Sequence, residues 1–130
     1  MKQIILALML FMSISVSAQN VYDNYGNYQG RVDNGKIYDS RGSYRGEVDN
    51  RWFVYSSDGS FRGRVSNDFF YDSAGRLIGS FRNGFVYNQS GRQMGFVSGD
   101  KVYDSAGRNI GRASNVPTRI IVLIFFFNLP

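Results

Sequence analysis

Apolar and polar positions recur along this chain with a fixed period. The pattern apolar-Tyr-(Asp/Ser/Asn)-x-x-Gly-x-x-x-Gly occurs six times, and successive copies begin 16 or 17 residues apart. The copies begin at Val21, Ile37, Val54, Phe70, Val86 and Val102. A fixed period of this kind is typical of a repeat architecture. The short alternating runs inside each copy predict two β-strands per repeat.

Two kinds of turn separate the predicted strands. Within a copy, a polar residue is followed by two small or polar residues and a Gly, as at 39–42, which is typical of a type I turn. Between copies, Asn34-Gly35 and Asn83-Gly84 predict two-residue hairpin turns. The junction at 49–53 carries one inserted residue, so we expect a longer loop or a bulge there. The fold class is therefore all-β, an up-and-down meander of six hairpins that closes into a shallow barrel and so removes its edges.

The hairpin turn at 34–35 sorts the strand residues onto two faces. Counting by twos from this turn places Tyr28 and Gly30 on the face of Ile37, and Gln29 on the face of Tyr38. In all six copies the predicted inner face carries aliphatic residues and the glycines Gly30, Gly46, Gly63, Gly79, Gly95 and Gly111. The predicted outer face carries Tyr22, Tyr38, Tyr55, Tyr71, Tyr87 and Tyr103, interleaved with Arg31, Arg64 and Arg112. A ring of strand glycines predicts that another segment passes close inside the barrel.

The C-terminal tail, residues 117–130, contains an unbroken apolar run. The run comprises Ile120, Ile121, Val122, Leu123, Ile124, Phe125, Phe126 and Phe127. It is too short to span a bilayer as a helix and shows no alternation, so every side of it must be buried. Three interpretations are open. The tail threads the centre of the barrel as a core plug, it anchors the protein in a membrane or partner, or it is an aberrant terminus without a native role.

The first 18 residues have the composition of a secretory signal peptide. Lys2 provides the positive charge, 4–11 form the apolar region, and 16–18 form a small-residue cleavage site. We therefore predict an exported protein, placed in the periplasm, in the outer envelope or outside the cell, with a six-repeat β domain at 19–116. The chain has no cysteine, which excludes disulfides and a bacterial lipid anchor.

The chemistry of the side chains argues against an enzyme and against a cofactor. The chain has no histidine, the commonest general base and metal ligand, and it has no G-x-S-x-G motif. The row formed by Asp23, Asp39, Asp72 and Asp104 is broken by Ser56 and Asn88. We therefore interpret it as turn caps and not as a metal site. The net charge of +5 favours anionic surfaces in general, but no cluster of Lys or Arg predicts nucleic-acid binding.

The six copies, the signal peptide and the apolar tail together resemble the bacterial beta-flower proteins, often labelled four-fold. The resemblance covers 21–116 and implies a symmetric barrel of hairpin petals around an apolar centre. This shape is similar to that of the tubby C-terminal domain, a twelve-stranded barrel around a hydrophobic helix whose members bind phosphoinositide lipids. The resemblance therefore implies a binding role close to a membrane.

Two functional hypotheses follow. In the first, the protein is a non-catalytic module that binds anionic lipid or a membrane surface through the outer arginines and an aromatic rim. That rim is formed by Trp52, Phe53, Phe69 and Phe85, near the turns between repeats. In the second, the protein is a structural module of the envelope that contacts a protein or a glycan, with the tail as its core plug. The Tyr/Arg surface is also compatible with an ordinary solvated strand face.

Overall fold

A computed structural model describes residues 18–128 of the chain. It contains twelve strands and one helix. The strands are β1 (Asn20–Asp23), β2 (Tyr28–Asp33), β3 (Lys36–Asp39), β4 (Tyr44–Val48), β5 (Phe53–Ser56), β6 (Phe61–Ser66), β7 (Phe69–Asp72), β8 (Leu77–Arg82), β9 (Phe85–Asn88), β10 (Gln93–Ser98), β11 (Lys101–Asp104) and β12 (Asn109–Ala113). The helix, α1, spans Thr118–Phe126. Most of the predicted signal peptide lies outside the described residues.

The strands form a closed antiparallel barrel. Each strand pairs with its neighbours in sequence, and β1 closes the ring on β12 through the pairs Val21–Ala113 and Tyr22–Arg112. Closure leaves no free strand edge, which confirms the predicted meander and barrel. Each repeat contributes one hairpin, β1–β2 through β11–β12, and we call these hairpins petals 1 to 6 in chain order.

The two ends of the barrel differ in their turns. One end, the Asn-turn end, carries the tight connections between petals, where Asn34, Asn67 and Asn83 adopt positive φ. The connection between petals 2 and 3 is longer, as predicted from its one inserted residue, and Trp52 adopts φ 67° in it. The other end, the Asp-turn end, carries the turns within each petal.

The core lies between the inner barrel wall and α1. Ile120, Ile121, Val122 and Leu123 are buried, and they pack in one cluster with inward-facing residues such as Val54, Phe70, Val86 and Val102. All buried side chains of residues 18–128 are apolar. A helix that is apolar on every side is stable only when surrounded by other apolar groups. Residues 120–123 of the tail therefore form a helical plug in the core of the barrel.

α1 enters at the Asn-turn end. Arg119 donates a hydrogen bond from Nε to the carbonyl of Asn67 at 3.1 Å, and its guanidinium lies 5.6 Å from the centre of the Trp52 ring. From there the helix runs towards the Asp-turn end, where Phe125, Phe126 and Phe127 are half-buried. Within 18–128, no helix has both the length and the apolar character needed to cross a membrane.

Every petal contains a β-bulge that the alternation rule did not predict. In petal 1, Val21 pairs with Gly30 while Tyr22 pairs with Tyr28, so Gln29 is an extra residue. The same shift occurs before the glycine in each petal. One inserted residue reverses the inside–outside pattern of the positions before it. The assignment of Tyr28 to the inner face was therefore wrong, because its side chain is exposed on the outer wall.

The ring glycines allow two kinds of close approach. A Cβ at Gly95 would lie 2.7 Å from Cε1 of Phe126 and would also overlap the carbonyl oxygen of Tyr103 on the neighbouring strand. Gly111 meets Phe125 and Gly79 meets Phe127 in the same way. At Gly30, by contrast, the nearest atoms are all backbone of the neighbouring strand. The segment predicted to pass close inside is therefore α1 with its adjoining Phe127, which covers the glycines of petals 4 to 6.

Candidate functional site

The aspartates at the Asp-turn end hold the turns of their own petals. The Oδ1 atom of Asp72 accepts hydrogen bonds from the backbone N–H groups of Ala74 and Arg76, both at 2.9 Å. Asn88 makes the same two bonds with its amide oxygen in petal 5. An acceptor is therefore required at this position but a charge is not. The described residues contain no group of His, Asp and Glu placed to hold a metal ion, and the turn-cap interpretation accounts for the aspartates.

Hydrogen bonds lower the pKa values of the turn carboxylates Asp72 and Asp104. The backbone N–H of Arg76 is the largest cause for Asp72, and the backbone N–H of Arg108 is the largest for Asp104. In petal 3, where Ser56 replaces the Asp, the Ser56 hydroxyl donates to Asp58 and lowers the pKa of that carboxyl to about 2. These carboxylates therefore stay ionised to lower pH than free aspartate, and their oxygens are bonded within the turns.

The outer arginines predicted as a binding surface stack on the repeat tyrosines. The guanidinium carbon of Arg31 lies 4.0 Å from the ring centre of Tyr38, and Arg112 lies 4.0 Å from that of Tyr22. Arg64 lies 4.5 Å from Tyr71. Each pair joins two adjacent petals, at β2–β3, β12–β1 and β6–β7 respectively. The three arginines are distributed around the wall and do not form one patch.

The four aromatic residues predicted to form an exposed rim have different surroundings. Trp52 is half-buried against the core, beside the N-terminal end of α1. Phe53 is also half-buried and packs edge-on against Phe61 at 5.8 Å. Only Phe69 and Phe85, at 44% and 39% exposure, lie largely open on the outer wall. They do not form one exposed rim with Trp52.

A different set of aromatic and apolar side chains is exposed near the Asp-turn end. We call it the outer aromatic band. It occupies one equivalent position in four consecutive petals and comprises Tyr28, Tyr44, Phe61 and Leu77. Its rings pack against the repeat tyrosines, as in Tyr38–Tyr44 at 5.7 Å. The sequence feature that could have identified this band is an apolar residue two positions before the glycine in each of these four petals. Because the bulge was not recognised, counting by twos placed that residue on the inner face.

The bulge residues divide the Asp-turn end into two halves. In petals 4 to 6 they are Ile78, Met94 and Ile110, which are half-buried and pack against the core. In petals 1 to 3 they are Gln29, Arg45 and Arg62, which are exposed. The apolar half is the half whose glycines are covered by Phe125, Phe126 and Phe127. We call petals 1 to 3 the open half, because no ring of residues 18–128 is among the nearest atoms at Gly30 and Gly63.

A cavity of about 370 Å³ lies in this open half. Val21, Ile37 and Ile124 provide its apolar surfaces, and Gly30 leaves space in its wall. Gln29, Arg45 and Asn128 bring polar groups to it, together with Arg31, Tyr38 and Asp39. Apolar walls with a few convergent polar groups are typical of sites for small ligands. This cavity is therefore a candidate site for a small ligand.

Comparison with protein families agrees with the architecture. The family model described as "5-fold beta-flower protein" matches residues 18–129. No curated protein and no solved structure matches the chain. The expected label, four-fold, is therefore corrected to five-fold, while the barrel of this chain has six petals. The chain belongs to the five-fold beta-flower protein family, which favours a structural repeat module over an enzyme.

Proposed function

We propose that this beta-flower protein is an exported, non-catalytic module that binds anionic lipid surfaces through its Asp-turn end. The observation that supports this proposal is the outer aromatic band on petals 1 to 4, which adjoins arginines without a carboxylate partner. Aromatic side chains and Arg stems partition into the interface between water and lipid, with their polar ends in the headgroup layer. An exposed band of this kind on one side of a barrel end is suited to contact with a membrane.

The charges at this end favour anionic headgroups. Arg41, Arg45 and Arg62 lie in petals 2 and 3, and no salt bridge of the described residues includes them. Arg76 and Arg108, in petals 4 and 6, pair with Asp72 and Asp104 at 3.2 and 3.0 Å. Arg41, Arg45 and Arg62 therefore lie beside the aromatic band without an ion-pair partner among residues 18–128. Each basic residue near an anionic leaflet contributes about 1 kcal/mol to binding.

Co-sedimentation with vesicles tests this proposal. We expect the protein to bind vesicles with about 30% anionic lipid at low salt, and to be released as salt screens the headgroups. Replacing Arg41, Arg45 and Arg62 by Gln should weaken binding about 100-fold, since three charges contribute about 3 kcal/mol. The matched control replaces Arg76, Arg92 and Arg108 by Gln at the same end, and it should weaken binding much less. Equal loss in both variants, or no binding at low salt, would reject the proposal.

A second candidate function is contact with a protein or glycan of the envelope. It is favoured by an aromatic cluster on the outer wall of petals 5 and 6. There Phe96 stacks on Tyr103 at 4.7 Å and packs against Phe85 at 5.9 Å. Stacked rings on a strand surface offer a flat apolar platform. If this platform is the functional surface, Phe85→Ser abolishes binding to the partner, whereas the triple Arg→Gln variant of petals 2 and 3 binds normally.

A further inference from the structure

We propose that the cavity in the open half of the Asp-turn end binds a small amphiphilic carboxylate, with a short acyl chain in the barrel and the carboxylate beside Arg45. This ligand is distinct from the membrane surface proposed above, and its site is inside the barrel wall. The proposal rests on the difference between the two halves of an otherwise repeated structure.

Petals 4 to 6, the covered half, show which side chains fit over the glycines that face the barrel interior. Phe125, Phe126 and Phe127 each place an apolar ring over one glycine of petals 6, 5 and 4. Gly30 has the equivalent position in petal 1, but the cavity lies beside it and no ring covers it. Because the petals repeat, the space at Gly30 fits an apolar group of similar thickness. Val21, Ile37 and Ile124 give that group apolar contacts.

The bulge residues indicate the polarity of the ligand. Where the chain's own phenyl rings fill the barrel, the bulge residue is Ile or Met; beside the cavity it is Gln29 or Arg45. An apolar side chain at these positions would shield a wholly apolar occupant from water. A glutamine and an arginine instead match an occupant whose outer end is polar and negatively charged.

Three charged residues line the cavity, Arg31, Arg45 and Asp39. Arg31 pairs with Asp33 at 4.0 Å. The Oδ1 atom of Asp39 accepts bonds from the backbone N–H groups of Arg41 at 3.0 Å and Ser43 at 2.9 Å, so its carboxylate is held in its turn. Arg31 stacks on Tyr38 on the outer wall. Arg45 is therefore the group available to a carboxylate, and the volume of the cavity lies within the usual range for small ligands of about 300–1,000 Å³.

Titration with octanoate in the absence of lipid tests the proposal separately from vesicle binding. We expect saturable shifts of the Gly30 and Ile37 amide signals in ¹H–¹⁵N spectra, without shifts at Gly79 in the covered half. Affinity should rise about fourfold for each methylene from butanoate to octanoate, since each buried CH₂ contributes about 0.8 kcal/mol. The cation octyltrimethylammonium should bind more weakly than octanoate.

Two variants distinguish this cavity from another binding place. Ile124→Phe fills the apolar part and should abolish the shifts, while the thermal melt confirms that the variant folds. Arg45→Gln should weaken octanoate binding roughly 10- to 100-fold, as expected for a hydrogen bond to a charged group. Arg62→Gln is the matched control, because Arg62 has the same bulge position one petal away and does not line the cavity. No saturable shift at about 5 mM octanoate, or binding unaffected by Ile124→Phe, would overturn the proposal.

Discussion

Gly95 and Phe126 provide a direct test of how α1 is held in the barrel. A methyl group at Gly95 would lie 2.7 Å from Cε1 and 2.9 Å from Cζ of Phe126, well inside van der Waals contact. It would also overlap the carbonyl oxygen of Tyr103. Overpacking of this kind costs about 1–3 kcal/mol, so we expect Gly95→Ala to lower the free energy of unfolding by about 2 kcal/mol.

The cost should depend on the phenyl ring. Phe126→Ala removes a half-buried side chain, and we expect it to cost about 2 kcal/mol, less than the 3–5 kcal/mol of a fully buried Phe. In the double variant the added methyl no longer meets the ring, whereas the overlap with Tyr103 remains. The sum of the two single-variant costs should therefore exceed the cost of the double variant by about 1 kcal/mol. A coupling energy of this size is usual for residues in contact. A domain of this size has about 5–15 kcal/mol of stability, so urea melts remain measurable.

Gly30→Ala combined with Phe126→Ala is the control pair. The nearest atoms to a methyl at Gly30 are backbone atoms of Tyr38 and Asp39, so the two changes should add within about 0.5 kcal/mol. Unfolding can be followed by the fluorescence of Trp52, the only tryptophan of the chain. Additive costs for Gly95 and Phe126 would refute the packing of the ring against that glycine, and with it the placement of the plug.

Two further predictions concern the turns and the N-terminus. With no histidine in the chain, stability should change little between pH 8 and 5 and fall below about pH 4. The folded state lowers the pKa of Asp58, Asp72 and Asp104, so their contribution is present above the ordinary value of 3.8 and is lost as pH falls through the folded value. Asp72→Asn keeps the acceptor and should make this fall shallower in acid urea melts; an unchanged fall would contradict the assignment. Mass spectrometry of the secreted protein should give an N-terminus at Gln19, and an intact Met1 would contradict the predicted cleavage.

The period of the sequence was sufficient to predict most of the barrel. Asn34-Gly35 fixes the register of its hairpin, and the pairs Val32–Ile37 and Arg31–Tyr38 follow from that turn by simple alternation. Simple alternation fails at the bulge. The repeats have the same spacing along the sequence whether or not each copy contains one unpaired residue, so the spacing does not reveal the bulge. Tyr28 was consequently placed on the wrong face, and the outer aromatic band and the polarity of the cavity were missed.

The aromatic residues illustrate a second limit of the sequence. Trp52 and Phe69 both lie near turns between petals, so the sequence treats them alike. In the structure Trp52 adopts positive φ and packs beside Arg119 of α1, whereas Phe69 stays on the outer wall. The difference depends on where the tail enters the barrel, a contact across more than 50 residues of sequence. The unbroken apolar run likewise has no period that specifies a helix.

The two halves of the Asp-turn end differ because a single segment passes through a barrel of six petals. Six petals create an interior with six equivalent glycine positions, and α1 with Phe127 brings Phe125, Phe126 and Phe127 to three of them. Half of the Asp-turn end is therefore lined differently from the other half. The bulge residue changes with this division, from polar in petals 1 to 3 to apolar in petals 4 to 6. The paired position two residues before the glycine changes at a different place, since it is apolar in petals 1 to 4 and becomes Gln93 and Asn109 in petals 5 and 6. The bulge, and not its paired neighbour, therefore follows the packing of the tail's phenyl rings over the glycines.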